Sequence, residues 1–255
     1  MVTLSKSNHS AIITIDRPEK LNALTIEMLY QFEKHIANLE QDSDIRVVLV
    51  TGGGDRSFCV GADINAWAEA TAIDMWRNWI REGHRIFDRL AAINIPTIAV
   101  LNGYTLGGGL EIALACDIRI AADDITLALP EVKLGIIPGW AGTQRLPAVI
   151  GPARAKQMIF TGERVTAQKA EQWGLINESV PRESMMDRAH EVAKTIIENA
   201  PLAVQMTKQI IDGGFGHNTG YRLEALASAF ARYTDDAKEG VASFREKRTA
   251  SFTGR

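Results

Sequence analysis

The chain has 255 residues, 46% of them hydrophobic, enough to bury a substantial core in one large α/β domain or one domain with a helical appendage. Its formal charge of −3 is spread over interspersed acids and bases without a long basic run, which argues against a nucleic-acid partner. Met1 to Ser10 carries no apolar or arginine-rich presequence, no apolar run is long enough for a bilayer, and Cys59 and Cys116 fit no disulfide or metal-ligand pattern, so a cytoplasmic protein without membrane or metal is expected.

Ala11 to Asp16 alternates like a strand that Arg17-Pro18 breaks, and Thr25 to Asp42 reads as an amphipathic helix with Met28, Leu29, Phe32, Ile36 and Leu39 inward. Arg46 to Thr51 is a β-branched run ending in Gly52-Gly53-Gly54, a buried strand followed by a loop at its carboxyl end, where α/β folds place ligands. Asp63 is positioned to cap a helix carrying Trp67, and Ile73 to Ala92 predicts another helix with Trp76, Trp79, Ile86, Phe87 and Leu90. After Pro96, Thr97 to Leu101 is a second apolar strand running into glycines, with shorter strands at Asp117 to Ala121 and Ile125 to Leu129.

Helical patterns dominate from Pro152: Thr166 to Gly174, Ser184 to Asn199, Leu202 to Ile211 and Leu223 to Tyr233. The apolar faces of the last two serve either subunit contacts or ordinary packing within the chain.

Three segments carry the chemical signal. Asn102 to Glu111 is a strand exit into three glycines and a helix start, where free N–H groups at the positive end of a helix dipole can hold an anion or a developing oxyanion; a plain tight turn is the alternative. Ser57 to Ile64 is a second glycine-bearing loop able to supply another donor. In Leu129 to Gly139, Glu131 sits among apolar residues, as Glu111 does between Leu110 and Ile112, and such surroundings raise a carboxyl pKa toward neutrality. Two such carboxyls suggest acid and base roles, unless each is a buried salt-bridge partner of Arg119 or Arg145. A dinucleotide fingerprint from Gly52 fails at Ser57, a phosphate-binding P-loop from Gly103 fails at Gly109, and no GxSxG elbow occurs.

Phe58 to Ile64, Gly103 to Asp117, Pro130 to Leu146 and Ser243 to Phe252, with Arg17 to Leu24 and Phe160 to Leu175, closely resemble the enoyl-CoA hydratase/isomerase (crotonase) family, over essentially the whole chain. The resemblance implies an α/β spiral of ββα turns over residues 1–195 and a C-terminal helical region, 196–255, that builds homo-trimers or hexamers made as dimers of trimers. It implies an oxyanion hole from the N–H groups of Ala62 and Gly108 for the carbonyl of an acyl-CoA thioester. Glutamate stands at both positions used by the hydratase branch, Glu111 and Glu131, whereas isomerase relatives commonly keep only the second.

The implied reaction is addition of water across a 2-enoyl-CoA double bond, Glu111 orienting and deprotonating water while Glu131 protonates the α-carbon; which is acid and which base depends on the water geometry. Lys20, Leu21 and Ala23, with Ala62, Asp63, Ile64 and Asn65, are expected to line the CoA arm. Phe244 and Lys247 of a neighbouring subunit would meet the adenosine 3′-phosphate, or else pack in a trimer contact and sit in solvent. CoA belongs to the substrate, so no separate cofactor is expected. Trp140-Ala141 departs from the two small residues many hydratases have there, and Trp140 and Trp67 either shape the acyl pocket or are core aromatics. Another reaction on the same oxyanion hole, such as isomerisation, decarboxylation or thioester hydrolysis, is the rival; an RNA-binding role would need a basic stripe that the sequence lacks.

Overall fold

Val2–Ser7 (β1) and Ser10–Ile15 (β2) pair antiparallel across a turn in which Asn8 and His9 both adopt positive φ, 47° and 67°. Two successive left-handed residues are what a two-residue hairpin with right-twisted strands needs. From sequence, β1 gives little strand signal because its second half, with Ser5, Lys6 and Ser7, lies exposed on a sheet edge. The computed structural model describes residues 1–214 and 217–255.

Val47–Gly52 (β3) pairs parallel with β2 and is buried along its whole length, as a strand covered on both faces must be. The chain then crosses to Ser57–Cys59 (β4), a short strand where the sequence suggests only a loop. The same step recurs. Thr97–Leu101 (β5) leads to Tyr104–Leu106 (β6), and Ile118–Ala122 (β7) to Thr126–Ala128 (β8). Val165–Thr166 (β9) and Glu178–Val180 (β10) complete two sheets, ordered β1-β2-β3-β5-β7-β10 and β4-β6-β8-β9. Strands of the large sheet beyond β2 run parallel, as do β4, β6 and β8 in the small one. Each passage is followed by helix, so the chain climbs as a spiral of ββα turns, and the strand-then-glycine pattern after β3 and β5 is the trace of its first two turns.

Asn102 holds two of these turns together: its side chain donates to the carbonyls of Gly52 and Gly54 at 2.8 and 2.7 Å and accepts from the Gly52 N–H at 3.1 Å. Asn102 is buried, and its two bonds with Gly52 satisfy backbone groups that are themselves buried.

Helix Ile26–Glu40 starts at Thr25, whose hydroxyl accepts from the Met28 N–H, and buries the five apolar residues its period predicts. Helix Ile80–Ala92 is entered through Ala72–Asp74 and a π-helical turn, Met75–Trp79. Asp63 does act as a cap, but only of a 3-10 turn, Ile64–Ala66, with Trp67 at its end. Helix Met185–Ile197 packs over β3, β5 and β7. Helices Pro201–Asp212, His217–Tyr233 and Asp235–Glu246 follow, and they leave Ile211, Leu226, Phe230, Tyr233 and Phe244 exposed. Among the described residues, no helix is long and apolar enough to cross a membrane.

Candidate active site

Two backbone turns meet at the centre of the molecule. β6 passes into helix Gly108–Ala115 through Gly107, whose φ of 53° and ψ of −130° suit glycine. Gly108 is the first helical residue, so its N–H has no partner within the helix and lies at the positive end of the dipole. Gly61, at φ 95°, comes so close that a β-carbon there would sit 2.8 Å from the Gly108 nitrogen. The next residue, Ala62, forms a parallel bridge with Leu24, in which the Leu24 N–H donates to Gly61 and the Asp63 N–H to Leu24, both at 2.8 Å. That pattern skips the Ala62 N–H. Among the described residues, neither the Ala62 nor the Gly108 N–H donates to a protein acceptor.

Glu111 lies one turn into the same helix and is 2% exposed. Its Oε1 accepts from the backbone N–H groups of Trp140 and Gly142, each at 2.7 Å. Ala141, between them, takes a left-handed φ of 76°, which turns the flanking N–H groups toward one point. Burial pushes the Glu111 carboxyl up to about 7, against the downward pull of the Gly142 and Trp140 N–H groups and, more weakly, of Arg145.

Glu131 opens a 3-10 turn, Glu131–Leu134, after Pro130. Burial lifts it also to about 7; its own N–H pulls down and the charge of Glu111 adds to the rise. A β-carbon at Gly107 would be 3.1 Å from Glu131 Oε1, so glycine there admits the carboxyl beside the Gly108 turn. Glu131 Oε2 is buried without a hydrogen-bond partner.

No ion pair to Arg119 or Arg145 accounts for either acid. Arg145 gives its guanidinium to Asp88 at 2.6 Å, and Arg119 donates to the carbonyls of Leu175, Ala113 and Cys116. Two N–H donors on adjoining turns and two carboxyls near neutral pKa are groups able to polarise a carbonyl and move protons beside it.

The segments expected along a CoA arm also come together. Leu21 and Asn22 are both left-handed, and buried Asn22 accepts from the Arg17 N–H at 2.8 Å and donates to Gly53 and Ser57 carbonyls at 2.9 and 2.8 Å. Lys20 is exposed and Ala23 buried, and the Val60 N–H donates to Leu21. Asp63 Oδ1 accepts from the Asn65 N–H at 3.0 Å, and Ile64 is half exposed. Phe244 is 85% exposed and Lys247 is the left-handed cap of helix Asp235–Glu246; no hydrogen bond or ion pair ties either to the other site residues within one chain. Gly61 and Ala141 escape a reading by side-chain chemistry because they act through backbone shape, and Asn22 escapes it because its amide bonds backbone groups of loops more than 30 residues away; an asparagine shortly after Arg17-Pro18 is the turn signal that points to it.

Trp140 is a core aromatic, 2% exposed, tilted by 41° against Trp79 with ring centroids 5.4 Å apart, and edge-on at 5.2 Å to Phe87. Trp67 is half-buried against the core.

The spiral of ββα turns defines the class of fold, and comparisons with known proteins agree on the fold and give the family. The model of the enoyl-CoA hydratase/isomerase family matches residues 5–255, and the chain belongs to that family. It is 41% identical to a short-chain-enoyl-CoA hydratase of Clostridium acetobutylicum, covering 97% of this chain and 95% of the relative. With a crotonyl-CoA hydratase of Syntrophomonas wolfei the identity is 36%, over 98% and 97% of the two chains. The crystal structure of an enoyl-CoA hydratase from Bacillus anthracis superposes with a TM-score of 0.96 at 36% identity, covering 100% of this chain and 99% of that one.

Proposed function

We propose that the chain is an enoyl-CoA hydratase, a hydro-lyase that adds water reversibly across the 2,3 double bond of a 2-enoyl-CoA to give a 3-hydroxyacyl-CoA. The observation that carries this reading is the pair of buried carboxyls, Glu111 and Glu131, set around the Gly108 turn. The thioester oxygen binds between the N–H groups of Ala62 and Gly108, which stabilise the enolate-like charge that develops during addition.

The surroundings of the two acids divide the work. Glu111 has one oxygen held by two N–H donors, which favours its ionised form, so it takes a proton from water as the water oxygen bonds to C3. Glu131 has a buried oxygen without a donor and feels the charge of Glu111, which favours its protonated form, so it delivers a proton to C2. Return of a proton from Glu111 to Glu131 through solvent completes the cycle.

Lys20, Leu21, Ala23, Asp63, Ile64 and Asn65 line the CoA arm in this reading, and CoA enters as part of the substrate with no further cofactor. Phe244 and Lys247 reach the adenosine 3′-phosphate of a neighbouring copy. Assembly as a trimer or a dimer of trimers through residues 196–255 belongs to the same proposal, supported by Leu226, Phe230 and Tyr233 exposed on helix His217–Tyr233. So does a cytoplasmic location.

The test follows loss of conjugated enoyl-thioester absorbance with crotonyl-CoA. Rapid loss in the wild type and a fall in kcat of about 10²–10⁴-fold in Glu111→Gln and Glu131→Gln is expected. A wild type that binds the thioester without hydrating it would overturn the proposal and favour isomerisation, decarboxylation or thioester hydrolysis.

A further inference from the structure

The Trp140 N–H is one of the two donors on Glu111, and its own position is set by an indole locked on several sides. The indole Nε1 donates to the Trp79 carbonyl at 3.3 Å, at the end of the π-helical turn, and the ring packs on Trp79 and Phe87. Glycines on two helices also lie against it. A β-carbon at Gly83 would lie 2.0 Å from Nε1 and 2.2 Å from Cδ1, and one at Gly108 would lie 2.5 Å from Cζ3.

Gly83 has no positive φ that calls for glycine, and it sits inside helix Ile80–Ala92, where glycine costs about 1 kcal/mol against alanine. Its service is to leave room for the indole. We infer that Gly83 and Trp140 are a matched pair that positions the Glu111 carboxylate, Trp140 being a positioning residue for the water step. An indole pushed off Gly83 carries the Trp140 N–H away from Glu111 Oε1 while the carboxyl stays buried. The base loses a donor that favours its charge and becomes harder to ionise. In kinetics this inference rests on the hydratase reading.

The experiment compares wild type, Gly83→Ala, Trp140→Ala and the double variant. Gly83→Ala is expected to lower kcat about tenfold or more with KM for crotonyl-CoA within about twofold. It is also expected to move the acidic limb of the kcat/KM profile up by about half a pH unit or more. In the Trp140→Ala background the space is vacant, so adding Gly83→Ala changes kcat less than about twofold and leaves the limb in place. An unchanged kcat and limb in Gly83→Ala, or an equal loss in both backgrounds, overturns the inference. If Gly83→Ala does not fold, Trp140→Phe keeps a ring in the slot and removes the bond to Trp79; the limb should move the same way, and an unmoved limb there also overturns it. An infrared titration of the Glu111 carboxyl, assigned by its disappearance in Glu111→Gln, reads the shift without turnover. A wild type inactive on crotonyl-CoA would thus sink the hydratase reading alone, and the infrared titration would still decide the pairing: an upward shift in Gly83→Ala supports it and an unmoved carboxyl overturns it.

Discussion

One guanidinium nitrogen of Arg17 donates to both the Asp63 carboxylate, at 2.7 Å, and the Ala23 carbonyl, at 3.1 Å. It ties the turn after β2 to the segment that presents the Ala62 N–H, and Asp63 at the same time caps the turn that follows. The Arg17 hydrogen bond holds the Asp63 carboxyl below its ordinary value, so the tie persists through neutral pH. Arg17→Met is expected to lower kcat/KM on crotonyl-CoA by about tenfold through a looser donor, in line with the sensitivity of catalysis to small misplacements. Full activity in that variant would show that the Leu24–Ala62 bridge holds the donor unaided.

Glu111 is expected to be a cost to stability. Its folded pKa of about 7 exceeds the value of about 4.3 for an unfolded chain, so between these limits the native state binds the extra proton. Stability therefore falls as pH rises through this window, and the loss is complete above it. Glu111→Gln keeps an oxygen for the two N–H donors and removes the charge. Urea denaturation should find it more stable than wild type at pH 8 by on the order of 1–3 kcal/mol, with the difference closing near pH 4. Equal stability at pH 8 would contradict the burial argument.

Gly61→Ala tests the approach of the two donor turns. A β-carbon there meets the Gly108 nitrogen at 2.8 Å and the Leu106 carbonyl oxygen at 3.2 Å, in a left-handed conformation that alanine resists. Loss of kcat by about 10²–10³-fold is expected, the scale of losing one oxyanion donor, with a stability loss of only about 1–3 kcal/mol. Retained kcat would place the donors elsewhere.

Away from the site, Lys208 is buried and its ammonium meets Asp117 Oδ2 at 2.7 Å and the Ile95 carbonyl at 3.3 Å. The same Asp117 oxygen accepts from the N–H and hydroxyl of Thr97 at 2.7 and 3.0 Å. Lys208→Met leaves that carboxylate with neutral hydrogen-bond donors only. Breaking a fully buried pair costs about 3–5 kcal/mol, and because the Asp117 side chain is 26% exposed a loss nearer about 2 kcal/mol is expected in thermal denaturation. A melting temperature equal to wild type would show the pair to be neutral.

Much of the fold is legible in the chain. The inward stripe from Met28 to Leu39 marks its helix, the apolar runs Val47 to Val50 in β3 and Ile98 to Leu101 in β5 mark buried parallel strands, and Thr166 with Gly174 brackets a helix as cap and stop. The short strands are less legible. β4 spans only Ser57–Cys59, too few residues to show a period, and it is a strand because β6 lies beside it. Glu111 and Glu131 stand out in the sequence as acids in apolar runs, and the glycines around Gly108 stand out as a turn.

Whether those acids are paired with arginines or held by N–H groups was decided only in three dimensions. Residue types and the period of burial are properties of neighbouring positions, so the longer buried strands, the amphipathic helices and the presence of two unusual carboxyls were determined by the sequence alone. The Glu111 side chain meets its donors at Trp140 and Gly142 across 29 and 31 residues of chain, and Arg17 meets Asp63 across 46. Such partners are chosen by how the ββα turns stack and by left-handed backbone at Asn22, Gly61 and Ala141. Both are set by close packing of many distant residues at once, which no local pattern encodes.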